Sequence, residues 1–389
     1  MREETLNRAL SRYEQTPHLV FWETTKACSL ACRHCRASAQ TEPLAGELST
    51  QEGFDLIDQI AEMPGMAPIL VFTGGDCFAR ADLSELIGHA RERSIRVGIA
   101  PSVTERLTRE RMQELFELGV RSVSISLDGA NAQSHDSLRG IPGHFEKTLE
   151  ALQMMRDMGF RLQVNTTVMK SNALELAEIL ALLNGVGVSI WEVFFLVGVG
   201  RGAQIQEVDP EVAEDVCHFL ADTAMTGMTV RTVEAPFYRR VLAQREKFAD
   251  ENLRSHFALG ETYDLLHADM LRRGLGARKR DHGPSTLATG DGRGIVFVGY
   301  DGDVHASGFL PISLGNVRQE TLGSIYADDP LLTSLRAGLL EGECGQCDYR
   351  RLCGGSRARA YARTGRVLED DPACIRTKTG KRIALPMAI

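Results

Sequence analysis

The sequence lacks the marks of an exported or membrane-spanning chain. Its opening, Met1-Arg2-Glu3-Glu4, is charged and no apolar core follows, so no secretory signal is expected. No uninterrupted apolar run approaches the roughly 20 residues that cross a bilayer. The most apolar stretch, Val188 to Gly200, contains Glu192 and reads as a buried strand. No internal repeat or low-complexity segment is present, which excludes a repeat array. Surplus positive charge is missing too. The net charge of −8 argues against a sequence-independent nucleic-acid binder. What remains is an ordinary globular composition, 43% apolar and 25% charged, with 389 residues allowing two or three domains and a large core. Nine cysteines without an export signal point to metal or redox use in a reducing cytoplasm, not to disulfides.

Three of these cysteines sit within eight residues, Cys28, Cys32 and Cys35, spaced C-x3-C-x2-C. Three thiolates on one short loop can face one metal centre. A closed structural zinc site takes four protein ligands, and a 4Fe–4S cluster usually takes four cysteines. Three leave one iron open unless a distant residue closes the site. An open iron can bind a substrate or cofactor directly. The other readings are ordinary buried cysteines or half of a zinc site. The loop follows an apolar, β-rich stretch, His18 to Trp22, which places it at the C-terminal end of a predicted strand. Barrels and open α/β sheets put their active sites at that end.

Strand and helix alternate from about residue 18 to 198. Strands are predicted near 19–24, 69–73, 95–100, 121–127, 161–168 and 189–197. Helical periodicity lies between them, the first opening on Ser49 with Glu52 three residues on, a capping-box pattern. Gly119 and Gly159 fall just past helix ends, where a left-handed residue is needed. Six βα units imply a parallel sheet with right-handed crossovers. An open (β/α)6 partial barrel and a doubly wound sheet both satisfy that count. Residues 1–17 read as a lead-in helix. From 201 to 285 helix is expected, at 210–223 and 238–270, with Arg272-Arg273 and Arg278-Lys279-Arg280 on a solvated face. Gly290 to Gly294 reads as a flexible entry to a hairpin over 295–305 around an Asp-Gly turn. Short helices near 322–327 and 330–339 follow, then a loop-like tail from Cys344.

Further positions carry chemistry. Gly74-Gly75-Asp76-Cys77 ends the second predicted strand, where paired glycines permit close backbone approach to a ligand. Its plainer reading is a tight turn with Asp76 as a cap and Cys77 as a small buried thiol. Ser126, Asp128 and Gly129 end the fourth strand, and Arg139 follows eleven residues after Asp128. A guanidinium fork there suits a carboxylate. Asn165 belongs to the fifth strand; Leu196 ends the sixth, with ordinary core as its alternative. At the far end, Cys344, Cys347, Cys353 and Cys374 are spaced C-x2-C-x5-C-x20-C, a complete four-thiolate set. Zinc and 4Fe–4S are both allowed by that count.

The C-x3-C-x2-C loop after a strand resembles the cluster loop of the radical S-adenosylmethionine superfamily. The resemblance implies a partial (β/α)6 TIM-like barrel of class α/β, with a small C-terminal α+β iron–sulfur domain. It implies a catalytic 4Fe–4S cluster on Cys28, Cys32 and Cys35 whose open iron binds S-adenosylmethionine. Reductive cleavage then gives a 5′-deoxyadenosyl radical that takes a substrate hydrogen. In that family Gly74 and Gly75 would receive the methionine amino group, with Asp76 standing where a glutamate is usual. Ser126 and Asp128 would lie near the ribose and methionine, Arg139 at the cofactor carboxylate, Asn165 at the ribose, and His34 and Leu196 at the adenine. The rear cysteines resemble the outer auxiliary cluster of the SPASM extension, which also begins with a hairpin. A full extension carries an inner cluster as well. Its cysteines are replaced here by the Ala306-Ser307-Gly308 segment and by Arg357, so one auxiliary 4Fe–4S cluster is expected.

The implied division is a lead-in over 1–17, the barrel core over 18–200, a helical connection over 201–285 and the auxiliary domain over 286–389. The stretches 307–311 and 353–360 resemble the branch holding alternative haem synthases and haem d1 maturation enzymes. That branch implies oxidative modification or decarboxylation of a tetrapyrrole. Arg357 and Arg359 would then bind propionates or brace the auxiliary loop. A maturase of ribosomally made peptides is the alternative, although about 17 residues before the first strand leave no room for a winged-helix peptide module. A non-catalytic iron–sulfur or zinc-binding protein is the alternative of another class. A low-potential donor of ferredoxin or flavodoxin type is the expected partner.

Overall fold

Period-two alternation becomes strand where the sequence predicts it. In β5, Arg161–Val168, residues Leu162, Val164, Thr166 and Val168 are buried on one face, while Gln163, Asn165 and Thr167 are half-buried on the other. The computed structural model describes residues 10–248, 252–276 and 289–378. β1 (Leu19–Glu23), β2 (Ile69–Thr73), β3 (Arg96–Ile99), β4 (Ser122–Ser126), β5 and β6 (Ile190–Phe195) pair in parallel in that order. Helices cover the outer face, and the inner face lines a cavity: the expected partial barrel.

The first helix shows why the layers close. Ser49 and Glu52 form the complete capping box of helix Thr50–Ala61. This helix buries Gly53, Leu56, Ile57 and Ile60. A Cβ on Gly53 would meet Trp22 at 2.8 Å and Leu86 at 2.6 Å. Bare backbone therefore lets the helix rest on the fully buried Trp22 of β1. Gly119 and Gly159 are left-handed after their helices, as expected, at φ of 93° and 87°.

The connection over 201–285 is not wholly helical. Within it β7, Thr229–Val233, extends the parallel sheet beside β6. It is a short β-branched run crowded between helices Pro210–Ala224 and Phe237–Lys247, too brief to stand out against their periodicity. The helix expected over 238–270 is two helices, ending at Lys247 and restarting at Glu261. Arg272 and Arg273 pair with Asp269 and Glu178 at the surface. Arg278, Lys279 and Arg280 lie outside the described residues, as does most of the lead-in.

Gly290 to Gly294 is structured, not a loose entry: β8, Gly290–Asp291, pairs with β9, Gly294–Val298. β9 and β10, Asp303–His305, form the expected hairpin, and β11, Gly315–Asn316, adds to it. β9 also pairs in parallel with β1, from Leu19 opposite Ile295 to Trp22 opposite Val298. The sheet runs β11-β10-β9-β1-β2-β3-β4-β5-β6-β7. Helices Leu322–Asp328 and Pro330–Ala337 follow as predicted. The tail is not all loop; Ser356 caps a helix over Arg357–Thr364. Its arginine-rich sequence carries no apolar stripe to announce it. Among the described residues, no helix is long and apolar enough to cross a membrane.

Candidate active site

The inner face of the barrel opens into a cavity of about 410 Å³. Cys28, Cys32, Cys35, His34, Gly74, Gly75, Ser126, Arg139, Asn165 and Leu196 all line it. The cysteine loop is held by its backbone, and Cys28 Sγ also accepts from Leu30 N–H at 3.4 Å. Cys28 N–H donates to Gln40 O (2.7 Å) and Arg33 N–H to Leu138 O (2.8 Å). Arg201 clamps the loop from across the barrel mouth, donating to Cys32 O (2.9 Å) and Ala39 O (3.1 Å). Burial pushes the Cys28 thiol up, so without a metal it keeps its proton.

The glycine pair is needed because the end of β2 presses on this loop. Gly75 N–H donates to Thr25 O (2.8 Å) and Asp76 N–H to Ala27 O (2.7 Å). A Cβ on Gly75 would stand 2.5 Å from Ala27 O; one on Gly74 would stand 2.6 Å from Thr25 O. Asp76 and Asp128 do not line the cavity as the resemblance suggested. Asp76 is fully buried and accepts from Phe78 N–H, Ser102 N–H and Thr104 Oγ1. These three bonds fix the turn. Cys77 is likewise a fully buried thiol outside the cavity.

Asp128 works through its neighbours. It accepts Thr167 N–H (2.7 Å), ion-pairs with Arg139 Nη2, and lies 3.2 Å from His34 Nε2. Burial alone would raise its carboxyl; the facing Arg139 and His34 outweigh that and hold it well below the usual range. Arg139 Nη1 reaches Cys32 Sγ at 3.5 Å, while its Nε has no partner. His34 Nδ1 is also buried without a partner. Behind them lie two residues that motif reading missed. His135 Nε2 meets His144 Nδ1 at 2.9 Å, and burial, with the nearby Arg139 cation, depresses both imidazoles, to about 3 and about 4. His135 Nδ1 accepts from Asp128 N–H at 3.1 Å, so the pair braces the backbone of Asp128, recognisable only once the fold brings them together.

Deeper in the barrel, Gln163 Nε2 donates to Asn165 Oδ1 and to Glu192 Oε2, both at 2.9 Å. Burial raises the Glu192 carboxyl, and Arg231 on β7 offsets part of that. Glu234 follows β7 at a left-handed φ of 58° and also lines the cavity. It accepts from Ser356 Oγ, and burial with the nearby Asp291 carboxylate pushes its own carboxyl up. Nothing in the sequence marks Glu234, because the strand that presents it was itself hidden.

The rear cysteines come together around helix Arg357–Thr364. Cys344 and Cys374 are buried, and Cys353 reaches the far end of the cavity. Backbone N–H groups of Tyr349 and Gly355 point at Cys347 and Cys353 sulfurs, each at 3.4 Å. Arg357 donates to Val367 O and Glu369 O and lies 3.9 Å from Cys344 Sγ. Arg359 donates to Glu234 O (2.8 Å) and Asp371 Oδ1 (3.2 Å). Both arginines brace this loop; neither guanidinium is free for a propionate. Ser307 and Gly308, at the position of an inner cluster, line the cavity instead. The fully buried Cys217 lies close enough to Cys353 and Cys374 to feel their charge.

Among the described residues, no three His, Cys, Asp or Glu side chains converge as a single ion requires. A four-iron cube is wider and keeps its thiolates farther apart. The front site suits such a group carrying an anionic ligand: three thiols, a glycine cradle, and an unpaired Nε–H on Arg139.

A loop of three cysteines at the C-terminal end of β1, set over the cavity of a parallel partial barrel, is the layout of an enzyme site able to hold a metal group and a cofactor. The model of the Radical SAM superfamily matches residues 22–183. The chain is 36% identical to the AdoMet-dependent heme synthase of Oleidesulfovibrio alaskensis, over 92% of this chain and 86% of that protein. It is 35% identical to that of Methanosarcina barkeri, over 92% and 96%. The mycofactocin maturase MftC of Mycobacterium tuberculosis is 26% identical over 95% and 86%. A crystal structure of Streptococcus suis SuiB bound to S-adenosylmethionine shares the fold, with a TM-score of 0.68 at 13% identity over 96% of this chain and 81% of that one. The chain belongs to the radical SAM superfamily and is an enzyme of it. Membership brings S-adenosylmethionine, a 4Fe–4S cluster, a reductant and a substrate.

Proposed function

We propose that this enzyme oxidatively modifies a carboxylate-bearing tetrapyrrole, a reading supported by relatives named AdoMet-dependent heme synthase. Identity of 35–36% to those proteins over 92% of the chain carries the reading. Cys28, Cys32 and Cys35 are its cluster ligands. Gly74, Gly75, Ser126, Arg139, Asn165, His34 and Leu196 seat the cofactor, with Asp128 fixing Arg139 and His34, and Asp76 fixing the turn. When bound, the cofactor pair supplies a 5′-deoxyadenosyl radical. The barrel walls hold the substrate side chain beneath it and keep water out. For decarboxylation, a propionate loses one hydrogen atom, one electron and carbon dioxide, leaving a vinyl group. A second 4Fe–4S cluster on Cys344, Cys347, Cys353 and Cys374, at the far end of the cavity, is the proposed electron acceptor. The reductant is a ferredoxin or flavodoxin type, the compartment the cytoplasm. We divide the chain as barrel core, connection and auxiliary domain, with β7 assigned to the core.

The test is anaerobic turnover of iron-coproporphyrin III with S-adenosylmethionine and dithionite. Substrate-dependent 5′-deoxyadenosine and loss of carbon dioxide from the porphyrin are expected. Binding without either product would refute the reading. The 26–27% identity to mycofactocin maturases supports a second reading, peptide modification. Turnover of a precursor peptide, with none of the porphyrin, would establish it.

A further inference from the structure

Two guanidiniums face the same cavity with no ion pair among the described residues. Arg239, on the helix after β7, and Arg293, just before β9, come from opposite ends of the barrel sheet. Each lies within reach of the other's charge. Arg293 is only 5% exposed, and both line the cavity. Arg239 donates from Nη2 to Thr289 O, and Arg293 from Nη1 to Arg351 O (2.7 Å). Arg239 Nη1 and Arg293 Nε are buried with no partner, and neither side chain has an ion pair among the described residues. The carboxylate whose charge reaches Arg239 is Asp291, and its Oδ2 accepts from Arg357 N–H. Of the other cavity arginines, Arg139 pairs with Asp128 and Arg36 with Glu23, Arg201 and Arg357 donate to backbone carbonyls, and Arg231 faces the buried Glu192. Burying two like charges together is costly unless an anion joins them. Forked N–H donors suit a carboxylate best.

We propose that Arg239 and Arg293 form a carboxylate-binding subsite that anchors the substrate across the gap between β7 and β9, opposite the cysteine loop. This deepens the proposed function and rests on it for the identity of the carboxylate, a porphyrin side chain. The pair is a binding element; it acts on the acid group that is held, while the reacting side chain lies toward Cys28, Cys32 and Cys35.

The test uses the anaerobically reconstituted full chain. Iron-coproporphyrin III and its tetramethyl ester are titrated by absorbance into wild type, Arg239→Gln and Arg293→Gln. Wild type should prefer the acid, and each variant should bind it about tenfold more weakly with ester binding unchanged. Each variant should melt no lower than wild type, because removing a buried charge that has no ion pair offsets the one backbone hydrogen bond it loses. Melting in citrate against chloride of equal ionic strength gives a second reading. Citrate should raise the wild-type midpoint by about 2 °C and leave the double variant unmoved. Unchanged acid preference in both variants overturns the subsite and leaves the tetrapyrrole reading standing. An altered auxiliary-cluster spectrum with acid preference intact overturns it too, assigning the arginines to Cys353. Citrate stabilisation that needs both arginines, with no porphyrin bound by wild type, supports the subsite and removes the tetrapyrrole.

Discussion

Single residues in this site are fixed by partners that no motif names. Asp128 holds Arg139 and His34 while staying out of the cavity. Asp128→Asn removes the carboxylate facing a buried guanidinium and should cost about 3 kcal/mol of stability in denaturant unfolding. The double variant with Arg139→Met should lose less than the single one. A double-variant loss equal to the sum of the two single losses would mean that the pair is not coupled. Gly75→Ala forces a methyl to within 2.5 Å of Ala27 O, a backbone atom that no rotamer change can clear. It should displace the cysteine loop and lower iron at the front site, with the rear site still loaded; iron assay and electron paramagnetic resonance would report this. The cysteines, the glycine pair and Arg139 were legible because their spacing is dense and their chemistry particular. Asp128 was visible but its direction was not. His135, His144, Glu234, Arg239 and Arg293 carry no local pattern, since their meaning lies in what the fold sets beside them.

Elements were legible where periodicity ran long enough to count. The six core strands and the Ser49–Glu52 cap stood out. β7 is five residues between two helices, and its Arg231 breaks the apolar alternation. The cap also does a second task. Glu52 accepts from Arg318, which follows β11, so the first helix is tied to the C-terminal hairpin. Arg318 and the Ser49 N–H lower the Glu52 carboxyl from 4.5 to about 2. A depressed carboxyl stabilises the fold above its unfolded value and loses that contribution as the pH falls through its folded one. Glu52→Gln should therefore lower stability at neutral pH and flatten the acid limb between about 4.5 and about 2. An unchanged limb in urea melts across that range would mean the contact adds nothing. The pair is partly exposed, so the effect should shrink in salt.

At the scale of the molecule, one apolar core runs from Val20 in β1 to Ala373 beside Cys374. That core reaches the rear cysteines at Ala373, while Cys28 and Cys32 pack with Leu30 and Ala39 in a smaller cluster of their own. If both cysteine sets carry four irons, anaerobic reconstitution should give about eight irons per chain. About four irons with one zinc would remove the rear site as an electron acceptor. The alternation of strand and helix made the barrel readable; the return of the chain to β1 was not, because parallel pairing over some 270 residues leaves no local trace. That return orders events during synthesis. β1, which leads into the front cysteines, keeps one edge open until residues 294–298 have been made. A nascent chain halted near residue 285 already contains Cys28, Cys32 and Cys35 but exposes a fully formed strand edge to other chains. The ribosome thus finishes about three-quarters of the protein before the strand beneath its reactive loop is protected. Delivery of iron and sulfur to that loop is safest late, after the last quarter has closed the sheet.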